Sequence, residues 1–271
     1  MASLNPVFRL DESQLAREVQ SRIFPSLRPS VPGLDYYSDW RPAATAGGDY
    51  LDYFEMDEGS FGIAIGNVSA QGIEAALLTT SLHSIVRALR FSRTRSLAEL
   101  VGNIDGLFRD ICSDNCYATL FLGQFDPISG RLHYVNAGHE PPFVLRPTGR
   151  QYRSFRLEAR GPWLGMLRKP TYREGVVSLI PGDLIVAYTD GLCEAVNPQG
   201  EEFGWTRFLS SLTGPRRRAR DIVREVFLAA DEFVAGAPQT DDMTLWLGRV
   251  EETHAMPMLR LAEHSEEPVA A

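Results

Sequence analysis

The sequence predicts an α+β domain: two mainly antiparallel sheets, packed together and flanked by helices as an α/β/β/α sandwich. Three observations lead there. Strand-like segments come in blocks joined by short turns, as at 117–126 and 131–137 around Pro127-Ile128-Ser129-Gly130. Helical segments come in pairs between those blocks. The regular βαβ alternation that marks a parallel sheet is missing.

Each element follows from local signals. Residues 11–24 (DESQLAREVQSRIF) place Leu15, Val19 and Ile23 at steps of four behind acidic residues, which predicts an amphipathic helix. Pro25 ends it, and the Pro-rich stretch to Pro32 is a linker. The helix packs either on its own domain or against a second copy of the chain. From Leu34 the texture changes. YLDYF (50–54) and FGIAIGNV (61–68) are aromatic or β-branched runs bounded by Gly, Asp and Glu, hence strands. Residues 73–91, with Ile73, Leu77, Leu78, Ile85 and Leu89, predict a long helix, and Ser96 caps a second over 97–111. After the 117–137 hairpin, PPFVLR (141–146), VVSLI (176–180) and DLIVAYT (183–189) predict strands, with Pro181-Gly182 turning between the last two. Helices are expected near 203–212 and 219–235, and DMTLWLGRV (242–250) closes the series as a strand. The expected organisation is a linker helix and Pro-rich segment (1–33), one folded domain (34–250), and a polar, loosely attached tail (251–271).

Composition narrows the function classes. The chain has 271 residues, 44% hydrophobic and 23% charged, enough to bury a core without disulfides or structural metal. A net charge of −8 argues against nucleic acid as the main partner. The one basic run, Arg216-Arg217-Arg218 with Arg220, is short and reads as a solvated loop before a helix. Three cysteines, Cys112, Cys116 and Cys193, do not make a disulfide framework. No apolar run reaches membrane-span length and the N-terminus lacks a signal-peptide core, so a cytoplasmic location is the expectation.

The acidic residues fall at strand ends. Asp49 follows Gly47-Gly48, Asp190 follows LIVAYT and precedes Gly191, and Asp241-Asp242 precede the last strand. Strand ends let a rigid sheet aim side chains into a shared cleft. Converging carboxylates repel unless something neutralises them, and a hard divalent cation such as Mg²⁺ or Mn²⁺ suits oxygen ligands. His139, beside Gly138 and Pro141-Pro142, reads as a hydrogen-bonded structural histidine, and Asp183 after Pro-Gly as a turn residue.

An ordered set of motifs then carries a resemblance. Ala16-Arg17-Glu18-Val19-Gln20 and Ile23-Phe24-Pro25 come first, and Arg41-Pro42-Ala43 leads into Gly47-Gly48-Asp49-Tyr50 with Asp52. Asn136-Ala137-Gly138-His139-Glu140-Pro141-Pro142, Gly161-Pro162-Trp163-Leu164-Gly165 and Pro181-Gly182-Asp183 follow. Tyr188-Thr189-Asp190-Gly191-Leu192 with Glu194, Gln199-Gly200-Glu201, Phe203-Gly204 and Gln239-Thr240-Asp241-Asp242-Met243-Thr244 close the series. From about Gln14 to Val250 the chain resembles the metal-dependent (PPM, type 2C-like) serine/threonine protein phosphatases of the SpoIIE/RsbU branch. The resemblance implies the PPM sandwich fold and two Mn²⁺ or Mg²⁺ ions with a bridging water or hydroxide. Asp49, Asp190 and Asp241 would act through the metal-bound water and serve as ligands together with Asn67 and the Val68 carbonyl. Asp52, Ser69, Gly191 and Asp242 would lie just behind them. It also implies a phosphorylated regulatory protein as substrate, of the STAS anti-anti-sigma kind, in bacterial partner switching. The helix at 11–24 resembles a signal-transmitting segment that helps relatives dimerise.

One position departs from the pattern. The second metal motif of the family reads Asp-Val-Ser-Gly-His-Gly, and here it reads Asn67-Val68-Ser69-Ala70-Gln71-Gly72. A carboxamide keeps one acceptor oxygen but offers an NH₂ donor in place of the second, so it cannot bridge two cations as a carboxylate does. Two readings therefore stand: a working phosphatase with one or weakly bound ions, and a pseudophosphatase that binds a phosphoprotein or its regulator without turnover. Gly47-Gly48-Asp49-Tyr50 also looks superficially like the GGDEF signature of cyclic-dinucleotide synthases, but Tyr50-Leu51 stands where that motif has Glu-Phe.

Overall fold

The computed structural model describes residues 12–25, 28–44, 47–56, 59–70, 72–92, 94–113, 116–149, 151–158, 161–214 and 217–252. The expected 253–271 portion of the tail, Gln71 and Arg216 lie outside them.

Helix α1 (Glu12–Ile23) leads to β1 (Leu34–Arg41), β2 (Asp49–Glu55) and β3 (Phe61–Val68). The helical pair α2 (Gly72–Leu89) and α3 (Leu97–Arg109) follows, then β4 (Ala118–Asp126), β5 (Arg131–Ala137), β6 (Phe143–Thr148), β7 (Gln151–Arg156), β8 (Gly175–Ser178) and β9 (Leu184–Tyr188). A 3₁₀ turn at Asp190–Leu192, α4 (Gly204–Leu212), α5 (Ala219–Val234) and β10 (Met243–Val250) complete the chain. One sheet runs β1-β10-β9-β6-β7 and the other β2-β3-β4-β5-β8, with antiparallel pairing throughout.

The layers follow from strand parity. On β2, Leu51 and Tyr53 enter the core between the sheets, whereas Tyr50 and Phe54 enter the core under α2 and α3. On β10, Trp246 faces the inter-sheet core while Leu245 and Leu247 face α4 and α5. The result is the expected α/β/β/α sandwich.

Two strands escaped the pattern reading, each for a physical reason. β7 is an edge strand whose residues are exposed or half-buried, so it carries no apolar alternation. β1, the opposite edge of the same sheet, interleaves Asp35, Ser38, Asp39 and Arg41 with its aromatics. Helix α1 is anchored to the domain by a polar side chain. Leu15 and Val19 are exposed, and the deeply buried residue of the helix is Gln20. No helix among the described residues is long and apolar enough to cross a membrane.

Candidate metal centre

Asp49 opens β2 directly across from Asn67 of β3, on the face turned toward the second sheet. It is 1% exposed. Its Oδ2 accepts hydrogen bonds from Thr189 Oγ1 (2.8 Å) and Thr244 Oγ1 (2.6 Å), which reach across from the β9 end and from β10. Its Oδ1 is buried and has no hydrogen-bond partner among the described residues. An unmet buried carboxylate oxygen is costly and marks a place where a ligand would be welcome. Burial, then the nearby Asp242 charge, push the Asp49 carboxyl well above the usual carboxylate range, against the pull of the two threonine hydroxyls.

The turn before Asp49 is clamped from two sides. Gln20 of α1 donates through Nε2 to the Gly47 carbonyl (2.5 Å) and accepts the Gly47 N–H on Oε1 (3.0 Å). Asp242 accepts from the N–H groups of Ala43 (2.8 Å) and Asp49 (3.3 Å). A Cβ at Gly47 would overlap the Asp242 carboxylate. At Gly48 a Cβ would lie 2.6 Å from the Val68 carbonyl oxygen and 2.7 Å from Asn67 Oδ1, so glycine lets both oxygens crowd the backbone next to Asp49. The Val68 carbonyl also accepts the Ala70 N–H (2.8 Å), which leaves it one further lone pair.

Asp190 starts the 3₁₀ turn after β9, is exposed, and accepts the Gly191 N–H on Oδ1 (3.1 Å). Gly191 has no room for a side chain. A Cβ there would fall on the Asp242 carbonyl oxygen and come within 3.1 Å of Asp241 Cβ. That close approach sets Asp190 beside Asp241. Burial and then the charges of Asp190 and Asp242 raise the Asp241 carboxyl, although the Asp242 N–H opposes them. Glu194 is raised by burial and by Asp190, Glu202 and Asp241. Asp49, Asp190, Asp241, Asp242 and Glu194 thus form one field of mutually repelling acids.

Hard oxygen donors, like charges in excess and an orphaned Asp49 oxygen fit a divalent cation of the Mg²⁺ or Mn²⁺ type. Among the described residues no three His, Cys, Asp or Glu side chains converge as a metal-binding group.

The other candidate residues sort clearly. Asp52 is a correction: three residues beyond Asp49 on a strand, it projects to the opposite face. There it is fully buried and takes a two-pronged pair from Arg87 Nε and Nη2 of α2, both at 2.5 Å. Ser69 is exposed and joins the fold through its N–H to the Tyr117 carbonyl (2.9 Å). Gly191 and Asp242 shape the site by contact and by hydrogen bond. His139 is buried, its Nε2 facing the Tyr188 carbonyl (3.2 Å) and its Nδ1 facing Thr119 Oγ1 (2.9 Å). Burial lowers its pKa to about 4, so the neutral ring donates from Nε2 and accepts from the threonine. Thr119 Oγ1 in turn accepts the Asn67 N–H (3.0 Å), so this chain of bonds ties the Asn67 backbone to β9. Asp183 is fully buried and held by Arg146, more than the turn residue expected. Sequence reasoning missed Gln20, Thr119, Thr189 and Thr244. The two threonines flank Asp190 and Asp241-Asp242, and their spacing from those acids was the available signal.

The family model for Stage II sporulation protein E (SpoIIE) matches residues 57–251, well over half of the chain. The chain belongs to the SpoIIE family. The matched SpoIIE segment contains Asn67, Asp190 and Asp241 and begins just after Asp49. The chain is 29% identical over 188 residues to phosphoserine phosphatase RsbP of Bacillus subtilis, covering 68% of this chain and 45% of that protein. It spans about half the length of the curated relatives it matches. The fold is shared with the SiaA-PP2C domain of Pseudomonas aeruginosa, with a TM-score of 0.75, 22% identity, and 88% and 96% of the two chains covered. It is also shared with the catalytic domain of the serine threonine protein phosphatase PstP in complex with 2 manganese ions. There the TM-score is 0.57 at 12% identity, with 81% of this chain and 99% of that one covered.

Proposed function

We propose that this SpoIIE-family chain is a metal-dependent phosphoserine/phosphothreonine protein phosphatase domain. It would act in the cytoplasm on a phosphorylated regulatory protein of the STAS type in a partner-switching circuit. The observation that carries the reading is the buried, unpartnered Asp49 Oδ1 set among repelling carboxylates. The kinship with a protein named as a phosphoserine phosphatase supports the substrate class.

The residues divide the work. Thr189 and Thr244 occupy Asp49 Oδ2, which fixes the carboxylate and leaves Oδ1 as the donor. Asp190 and Asp241 supply the further charge, with the Val68 carbonyl and Asn67 Oδ1 as neutral oxygens at the Gly48 side. Bound Mn²⁺ or Mg²⁺ supplies Lewis acidity, which acidifies water and draws charge off the phosphoryl oxygens. Asp242 and Gln20 hold the Gly47-Gly48 turn so that Asp49 does not move as charge develops.

Asn67 favours the second reading, a pseudophosphatase. It removes one of the four carboxylates the resemblance implies, which weakens cation binding. The experiment is phosphate release from a phosphorylated STAS protein in millimolar Mn²⁺. Turnover by the natural chain that Asp190→Ala abolishes supports the enzyme. Turnover only after Asn67→Asp identifies a binding module. The exposed Leu15 and Val19 on α1 support a homodimer through that helix. A monomer by light scattering, unchanged by Leu15→Asp, would refute it.

A further inference from the structure

A cleft of about 330 Å³ opens between α1, β2 and the C-terminal half of α2. It is remote in the fold from the acidic field, since α2 begins just after the Asn67 motif and the cleft lies at the helix's other end. Its walls gather Arg22, Arg87 and Arg90, three cations of a chain whose net charge is −8. Asp52 offsets only Arg87, through the paired bonds described above, and Glu55 is the one acid on the wall. Arg90 Nε is buried and has no hydrogen-bond partner among the described residues. His83 Nδ1 is also buried without a hydrogen bond, 3.4 Å from Asp52 Oδ2. A guanidinium with an unmet buried donor, next to two others, is a site for an oxyanion.

The rest of the wall is aromatic. Phe24 stacks on Trp40 with centroids 3.9 Å apart, which makes it a rigid plate, and the half-exposed Phe91 carries the Arg90 guanidinium 4.5 Å above its ring. Tyr53 and Phe54 continue the lining from β2. Flat apolar plates beside guanidinium groups suit a ligand with a planar ring at one end and phosphate oxygens at the other. The cleft's volume falls within the range of small-ligand sites.

We propose that this cleft binds a nucleoside phosphate, its phosphate on Arg90 and Arg22 and its base against Phe91 and Phe24. The residues are separate from those assigned to phosphoryl transfer, so the site stands or falls independently of that activity.

The test is calorimetric titration of the full chain with AMP, GMP, adenosine and inorganic phosphate, in EDTA so that no nucleotide is held through a cation at the acidic site. AMP or GMP should bind, with adenosine and phosphate each weaker by about tenfold or more. Arg90→Gln and the exposed Arg22→Gln should each weaken the nucleotide about ten- to a hundredfold. Thermal melting checks that both variants fold, and Arg22→Gln decides should Arg90→Gln fail to fold. Absence of nucleotide binding at millimolar concentration overturns the proposal. So does binding unchanged in the folded variants, or phosphate alone binding as tightly as the nucleotides.

Discussion

Asn67→Asp reverses the departure that most distinguishes this chain, and its effect can be sized from the structure. Asp49 and Asn67 are direct cross-strand partners, so their Cβ atoms sit about 5 Å apart. Two carboxylates at that distance, with an effective dielectric near 20, repel by about 3 kcal/mol. Asn67 is half-buried, and solvent at its side reduces this to roughly 1–3 kcal/mol. Without metal, the variant should therefore melt lower by roughly 3–10 °C for a domain of this size. With metal the sign reverses. The added charge turns a neutral oxygen donor into an anionic one, and Mn²⁺ affinity should rise about ten- to a hundredfold. Calorimetric titration with Mn²⁺ and thermal melting in EDTA read the two effects on the same samples. Unchanged Mn²⁺ affinity together with unchanged metal-free melting would show that Asp49 and Asn67 do not share a site, and the reasoning would fail.

Three further outcomes follow from the same geometry. Asp49→Asn should stabilise the metal-free protein. Its carboxyl is raised by burial and by Asp242, so the ionised form burdens the fold as pH climbs above the ordinary value of 3.8. A gain of ~2–6 °C at pH 7.5 that fades toward pH 4, with loss of Mn²⁺ binding, is expected by scanning fluorimetry; a loss of stability at pH 7.5 refutes it. Gly191→Ala should cost about 1–3 kcal/mol in urea unfolding, because the new methyl collides with the Asp242 carbonyl; a variant as stable as the parent would contradict that contact. His139→Gln should flatten the acid limb of stability. The folded imidazole sits at about 4 against 6.5 unfolded, so the natural protein loses on the order of 3 kcal/mol as pH falls from 6.5 to 4. The variant should lose correspondingly less across the same window, and equal slopes would remove the histidine from the account.

Much of the fold was legible because its central strands are buried on both faces. FGIAIGNV and DLIVAYT are near-continuous apolar runs, and they became β3 and β9 within a residue or two. The two edges of the β1-β10-β9-β6-β7 sheet were not legible. Strands β1 and β7 pair on one side only and carry polar residues that pattern reading assigns to loops. The acidic site was readable as a set of strand-end aspartates but not in its division of labour. Period-two parity alone would have sent Asp52 to the helix side of β2, opposite Asp49, where Arg87 holds it. Helix α1 was legible only in part: the step-of-four apolar series Leu15, Val19, Ile23 left packing on the domain or on a second copy open, and it is Gln20 that makes the anchoring contact. A glutamine on an amphipathic helix gives no hint that its amide satisfies both backbone groups of a glycine 27 residues away. The threonine pair on Asp49 likewise becomes visible only when the two sheets are brought together.

In the proposed function, Asp49, Asp190 and Asp241 serve one divalent cation site with Asn67 at its edge. Crystals grown in Mn²⁺, with anomalous diffraction collected at the manganese edge, test it directly. An anomalous peak is expected about 2.1 Å from Asp49 Oδ1, with Asp190 or Asp241 oxygen or the Val68 carbonyl completing its neighbours. Diffraction in saturating Mn²⁺ that shows no peak at Asp49, or a peak only at a site remote from all three aspartates, would contradict it.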